Sequence, residues 1–225
     1  MIYSPDHNFL LLKNMKVGST ALEVALSMVL PDNAVVTPKT SKMTEWKIEN
    51  DTSYDWYKPR NYKDLRNHAP YDEIEKYFDL SKAKTYLFVR NPYDAVLSHF
   101  FHRLFLLNQK IFDWDNIDKN EKDVLLDKYF NNQLGWEWYE PFRRQYYDSK
   151  GNMIVDKFLF YEKGIENEIN QVLPLHGIST INLSNIKEKE FRPKHLTPKN
   201  VFREQDLETI RNSWDWEFNF FNYER

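Results

Sequence analysis

The 225-residue sequence predicts an α/β fold with a mostly parallel central sheet flanked by helices. Three observations point to it. The apolar run "NFLLLK" is followed by a short polar loop and then by the long apolar run "STALEVALSMVL". Strand, tight loop and buried helix in that order open a layered α/β structure. A second run, "KTYLFV", stops at "RNP", and Pro92 suits the first turn of the helix "YDAVLSHFFHRLFLL". A third, "KFLFY", precedes the helical segment "GIENEINQVLPL". Strands alternating with helices favour parallel pairing.

The remaining elements follow in order. "NAVV" reads as a second strand, and residues 37–65, polar with interspersed aromatics, read as a loop or lid. "DEIEKYF" is a short helix, residues 108–147 are mixed helical and aromatic, and "DSKGNMIVD" is a turn. "TINLS" reads as a last short strand, and "REQDLETIRNSWDWEFNFF" as an amphipathic helix with its tail. No Pro/Gly/Ser-rich linker divides the chain, so residues 1–225 read as a single domain.

Composition narrows the function. Basic residues number 31 against 34 acidic, a net charge of −3, so no global field draws the chain to nucleic acid or an anionic membrane. An anion site must be local. There is no cysteine, which excludes disulfides and thiolate metal sites and suits a reducing cytoplasm. The N-terminal apolar run is too short for a signal peptide or membrane anchor, and a soluble, cytoplasmic protein is expected. Glycine is scarce, five in all, so each marks a turn or a close approach.

The first loop, "KNMKVGST", holds the first chemistry. A loop that follows a strand and opens a helix presents unpaired amides and the positive end of the helix dipole, a natural seat for phosphate. The triphosphate-binding loop needs lysine directly after its second glycine. Here Ser19 follows Gly18, Lys13 stands where the first glycine would be, and Lys16 precedes Gly18 by two. The loop nevertheless suits one phosphate group. Gly18 allows close backbone approach, Ser19 and Thr20 offer hydroxyls and amides, and Lys16 reaches a bridging oxygen. Taken alone, it fits equally well a Ser19 helix cap beside a solvated Lys16. Lys13 either contacts the same ligand or ends the strand.

"LFVRNPYDAVLSHF" is the second motif. Arg90 ends a buried strand, where an unpaired cation is costly, and so calls for an anion. Ser98 follows on the next helix, about two turns from its start, which lets the two converge on one anion.

Together these residues resemble the sulfotransferase family, whose donor is 3′-phosphoadenosine 5′-phosphosulfate (PAPS). "KNMKVGSTAL" looks like its loop for the 5′-phosphosulfate and "VRNPYDAVLS" like its motif for the 3′-phosphate. The resemblance implies a P-loop-like sulfotransferase fold. It implies donor-binding roles for Lys16, Gly18, Ser19, Thr20, Arg90 and Ser98. "FLFYEKGIENEINQVLPLHGI" resembles the family's later strand-helix segment with its Tyr-Glu pair, here Tyr161 and Glu162. The closing "REQDLETIRNSWDWEFNFFNY" is similar to the C-terminal helix of carbohydrate sulfotransferases. Small-molecule members carry a Trp after the first loop to stack the adenine; this chain has Ala21 and Leu22 there.

Sulfuryl transfer needs a base for the acceptor proton and positive charge on the leaving oxygen. Lys16 suits the second task. For the first, His68 in "RNHAPYDEIEKYF" sits in a segment resembling the catalytic-histidine segment of carbohydrate sulfotransferases, with a hydrogen-bonded loop histidine as the alternative. His195 in "FRPKHLTP" is the reserve; His7 and His176 are poorly placed, and structural roles suit His99 and His102. Arg192 and Lys194, in the late basic stretch "IKEKEFRPKH", are either a clamp for the 3′-phosphate, as a late basic loop is in the family, or a solvated charged loop.

The expected partners are therefore the small-molecule donor and a hydroxyl acceptor, foremost a carbohydrate, with a phenol or peptide tyrosine open. No metal, nucleic acid or membrane is required. Trp136, Trp138, Tyr139, Phe142, Tyr146 and Tyr147 could stack on sugar rings, though most suit a core. Two rivals remain: an ATP- and Mg²⁺-dependent nucleotide or small-molecule kinase, and a donor-binding module without chemistry.

Overall fold

The computed structural model describes residues 1–37, 65, 68–108, 110–134, 145–184, 186 and 191–225. They fall into two compact units, Met1–Val89 with Arg143–Glu188, and Arg90–Phe142 with Lys189–Arg225.

The first unit is built on a five-stranded sheet: β1 (Ile2–Ser4), β2 (Phe9–Leu12), β3 (Val35–Val36), β4 (Lys84–Val89) and β5 (Lys157–Phe160), in the order β3-β1-β2-β4-β5. β2, β4 and β5 are parallel, with Leu11 opposite Tyr86 and Leu87 opposite Phe158. β1 pairs antiparallel with both β2 and β3. The sheet is therefore mixed, which corrects the mostly parallel expectation. The cause is local: Pro5–His7 form one 3-10 turn and Asn8 adopts the left-handed region at φ 49°, so the chain reverses immediately into a hairpin. A strand as short as β1 carries no period to read.

Helix α1 (Ser19–Val29) lies on this sheet. Ala21, Leu22, Val24, Ala25 and Leu26 pack with Phe9, Leu11, Tyr86, Phe88 and Leu159, and Ile165, Ile169 and Val172 join the same core. Alternate residues of β2 and β4 supply that face because successive side chains of a strand point to opposite sides. Leu30 ends the helix in extended conformation, φ −86° and ψ 148°, as a residue before proline is driven to do. A short α2 (Tyr71–Ile74) precedes β4. After β5 the chain makes a 3-10 turn at Tyr161–Lys163, α5 (Ile165–Asn170) and a second 3-10 turn at Leu173–His176. "TINLS" forms no strand. The Asn170 side chain bonds both the amide and the carbonyl of Ile181, at 2.8 Å each, and Glu166 takes the Leu183 amide at 2.7 Å. Side chains have taken the backbone groups a strand would pair.

The second unit is helical: α3 (Pro92–Asn108), α4 (Lys119–Phe130), α6 (Pro198–Val201), α7 (Glu204–Ser213) and α8 (Asp215–Phe220). Asp118 caps α4 by accepting the Glu121 amide at 2.8 Å. Phe100 meets Trp114, Tyr129 and Phe202 edge to face at the centre. The C-terminal helix expected from the sequence is two helices that break at Trp214. Residues 38–64, read as loop or lid, and Trp136, Trp138, Tyr139 and Phe142 lie outside the described residues. Tyr146 is core, edge-on to Phe158. Among the described residues, no helix is long and apolar enough to cross a membrane.

Candidate functional site

In the first unit the site is built where β2 runs into α1. Lys13, the residue after β2, turns its side chain inward and donates to Glu23 of α1; the two are 1% and 0% exposed. Burial pulls the Lys13 ammonium below its ordinary pKa, and the Glu23 carboxylate opposes that pull. The pair spans the loop from its first residue to the second turn of the helix.

The loop itself uses two left-handed residues, Lys16 at φ 59° and Gly18 at φ 71°. Gly18 is the cap of α1, its carbonyl taking the amides of Ala21 and Leu22 at 3.1 and 3.4 Å. Ser19 and Thr20 hold the first two helical positions, whose amides have no intrahelical acceptor and point out of the helix start. No side chain caps the helix, so Ser19 does not act as the cap. Above Gly18 the Ile165 side chain closes in: a Cβ at Gly18 would lie 2.2 Å from Ile165 Cδ1 and 3.7 Å from Tyr161 Cε2. Gly18→Ala is therefore expected to cost about 1–2 kcal/mol from the left-handed backbone, with Ile165 forced aside, a loss that chemical denaturation would read. An unchanged midpoint would mean that the loop adopts another conformation.

His68 reaches this loop. Its Nδ1 lies 2.7 Å from the Lys13 carbonyl. A carbonyl only accepts, so Nδ1 carries the proton and Nε2 keeps the lone pair. Burial lowers the His68 pKa to about 4; the bond to the carbonyl opposes this, and the Lys13 charge adds to it. The ring is neutral at physiological pH. The His68 carbonyl accepts from Gln145 Nε2 at 3.3 Å, which ties the histidine at its backbone as well as its ring.

In the second unit Arg90, 8% exposed, donates to Asp94 at 3.2 Å, and Arg192 donates to the other carboxylate oxygen at 2.8 Å. Burial works against ionisation of Asp94, but Arg192 and Arg90 outweigh it and hold its carboxyl below the usual range. Ser98 lies one turn further along α3 and His102 another, so Asp94, Ser98 and His102 share a face. Phe191 packs on His102 and Phe105, with ring centres 5.0 and 4.3 Å apart. The late segment thus runs beside that face and brings Arg192 to Arg90.

The other candidates are placed as follows. Lys194 is exposed. His195 is exposed too, its Nε2 2.9 Å from Asp115. His99 bonds the Tyr129 hydroxyl at 2.8 Å, and His176 joins Tyr86 to the His7 carbonyl, both structural. Three residues that touch the candidates were missed from sequence: Glu23 and Gln145 in the first unit and Asp94 in the second. The signal for Glu23 was its being the single charge in the apolar run "STALEVALSMVL". Asp94 sits one turn before Ser98, the spacing that shares a face. Gln145 had no signal. Among the described residues, no three His, Asp or Glu side chains gather as a metal site would need.

No protein-family model matches the chain, and no curated protein matches it. Among solved structures, a sulfotransferase from Alicyclobacillus acidocaldarius is similar at 16% identity, over 91% of this chain and 94% of that one, with a TM-score of 0.39.

Proposed function

We propose that the protein is a PAPS-dependent sulfotransferase, residues 1–225 acting as one domain, and that it moves a sulfuryl group to a hydroxyl. The observation that carries this is the 2.7 Å contact of His68 Nδ1 with the Lys13 carbonyl. It joins the residue chosen as base to the loop chosen for the phosphosulfate, although the two lie far apart in sequence.

In this scheme the 5′-phosphosulfate sits on the amides and hydroxyls of Ser19 and Thr20, with Gly18 allowing close approach. Arg90, Ser98 and Arg192 take the 3′-phosphate, Asp94 holding the two guanidiniums together until it arrives; Lys194 adds charge at the rim. His68 Nε2 removes the acceptor proton as the acceptor oxygen bonds to sulfur. The bond from sulfur to the bridging phosphate oxygen breaks in line, Lys16 neutralises that oxygen, and adenosine 3′,5′-bisphosphate departs. A buried base with a pKa near 4 is weak alone. The negative donor beside it raises its proton affinity when bound. The acceptor is proposed to be a carbohydrate, on the resemblance of the C-terminal segment, and the setting cytoplasmic.

Ligand-induced stabilisation tests the donor. Adenosine 3′,5′-bisphosphate at ~100 times its Kd is expected to add about 2.7 kcal/mol, roughly 5–10 °C in Tm for a chain of this size. Stabilisation by ATP with Mg²⁺ and none by the bisphosphate would assign the loop to a kinase instead.

A further inference from the structure

We infer that Asp94 is a built-in competitor for the donor's 3′-phosphate: it occupies Arg90 and Arg192 in the empty protein, yields them to the phosphate, and by reclaiming them speeds the departure of the nucleotide product. The inference deepens the PAPS reading of these residues and rests on it.

The Asp94 carboxylate is divided between two cations. Its Oδ2 accepts from Arg90 Nη2 at 3.2 Å and its Oδ1 from Arg192 Nη1 at 2.8 Å, so each guanidinium holds it through one nitrogen. The stronger grip open to arginine is two-pronged, with both N–H groups of the fork on one anion. A phosphomonoester dianion, with three oxygens and twice the charge, can take that grip where a shared carboxylate does not. The Arg90 side chain is 6% exposed, and those of Arg192 and Asp94 are 24% and 33% exposed. An exchange of anions therefore takes place on the open side of the cluster, while the inner arginine has little room to move.

Asp94 also has other support to fall back on. It stands in the first turn of α3, a 17-residue helix, where unpaired amides and the helix dipole favour an acid. A carboxylate that has given up the arginines keeps that support. Burial opposes its ionisation, but Arg192 and Arg90 outweigh burial, so it is charged in the empty protein. Beside a bound phosphate the same charge repels.

The chemistry gives such a competitor a use. The 3′-phosphate takes no part in bond making or breaking and is the same in donor, transition state and product. Affinity for it is uniform binding, which adds nothing to the chemical step and, in excess, slows release.

The test measures Kd by calorimetry for adenosine 3′,5′-bisphosphate and for adenosine 5′-monophosphate, which lacks only the 3′-phosphate, and the dissociation rate of the bisphosphate by stopped flow. Wild type is compared with Asp94→Asn, which keeps the shape and one acceptor oxygen, and with Asp94→Ser, so that one variant remains if the other does not fold. The bisphosphate is expected to bind the variants about tenfold more tightly through slower dissociation, while the Kd for the monophosphate stays within about twofold. Unchanged or weaker bisphosphate binding overturns the inference, since a carboxylate that only orients the arginines gives that result. Equal tightening of both nucleotides overturns it as a general effect of charge, and so does tightening without slower dissociation. If wild type binds the bisphosphate no better than the monophosphate, the arginine pair does not read the 3′-phosphate and the inference falls alone. If wild type binds neither nucleotide, the proposed function falls with it.

Discussion

Replacing His68 with alanine should lower turnover by about 10²–10⁴-fold, the usual contribution of a positioned general base, while bisphosphate binding persists. The split follows from geometry. His68 meets the loop through the Lys13 carbonyl, whereas Ser19, Thr20, Arg90 and Arg192 carry the proposed phosphate contacts. Loss of both binding and turnover would mean that the ring shapes the loop rather than the chemistry. Unchanged turnover would remove it from the mechanism. The pH profile adds a second readout. In the proposed mechanism protonating His68 disables the base, and burial brings its pKa down to about 4. For wild type, kcat/KM should hold as pH falls through the ordinary histidine range near 6.5 and drop only towards 4. An acid limb at 6–7 would remove His68 from the role of base.

Replacing Glu23 with alanine should destabilise the fold by about 3–5 kcal/mol, because it leaves the Lys13 ammonium buried without its counter-charge. Against a total stability of roughly 5–15 kcal/mol, this is enough to unfold part of the population at 37 °C. Lys13→Met/Glu23→Leu should recover most of the loss. The pH dependence has a definite sign. With Lys13 lowered in the folded state, the unfolded chain binds more protons between the two pKa values, so the stability of Glu23→Ala rises as pH rises towards 10. Urea titrations at pH 7 and pH 9.5 would read both effects. A cost below ~1 kcal/mol would be the behaviour of a solvated pair instead.

Sequence reading located what depends on local rules. The long apolar run "STALEVALSMVL" and its stop at Pro31 place α1, and the apolar run of "KTYLFV" marks β4, found at Lys84–Val89. Pro92 opens α3, as its fixed φ and missing amide favour. Gly18 was singled out as a turn or close approach, and its φ of 71° and the Ile165 side chain over it are the physical content of that expectation. What failed was short or non-local. "TINLS" has the composition of a strand, but Asn170 and Glu166 bind its backbone first. The C-terminal helix was read through its break at Trp214 because both halves keep an apolar face.

The sequence by itself determined the strand, loop and helix units, the breakers between them, and the residue types able to hold a phosphate or take a proton. These follow from neighbours within a few positions, where periodicity, proline and glycine act directly. Only the tertiary structure decided which residues meet: β1 pairing antiparallel with β2, Glu23 reaching Lys13, His68 reaching the Lys13 carbonyl, and Arg192 reaching Asp94. Those contacts join positions whose separation in sequence carries no period, and their energies arise from burial, which a charged residue in a sequence does not announce.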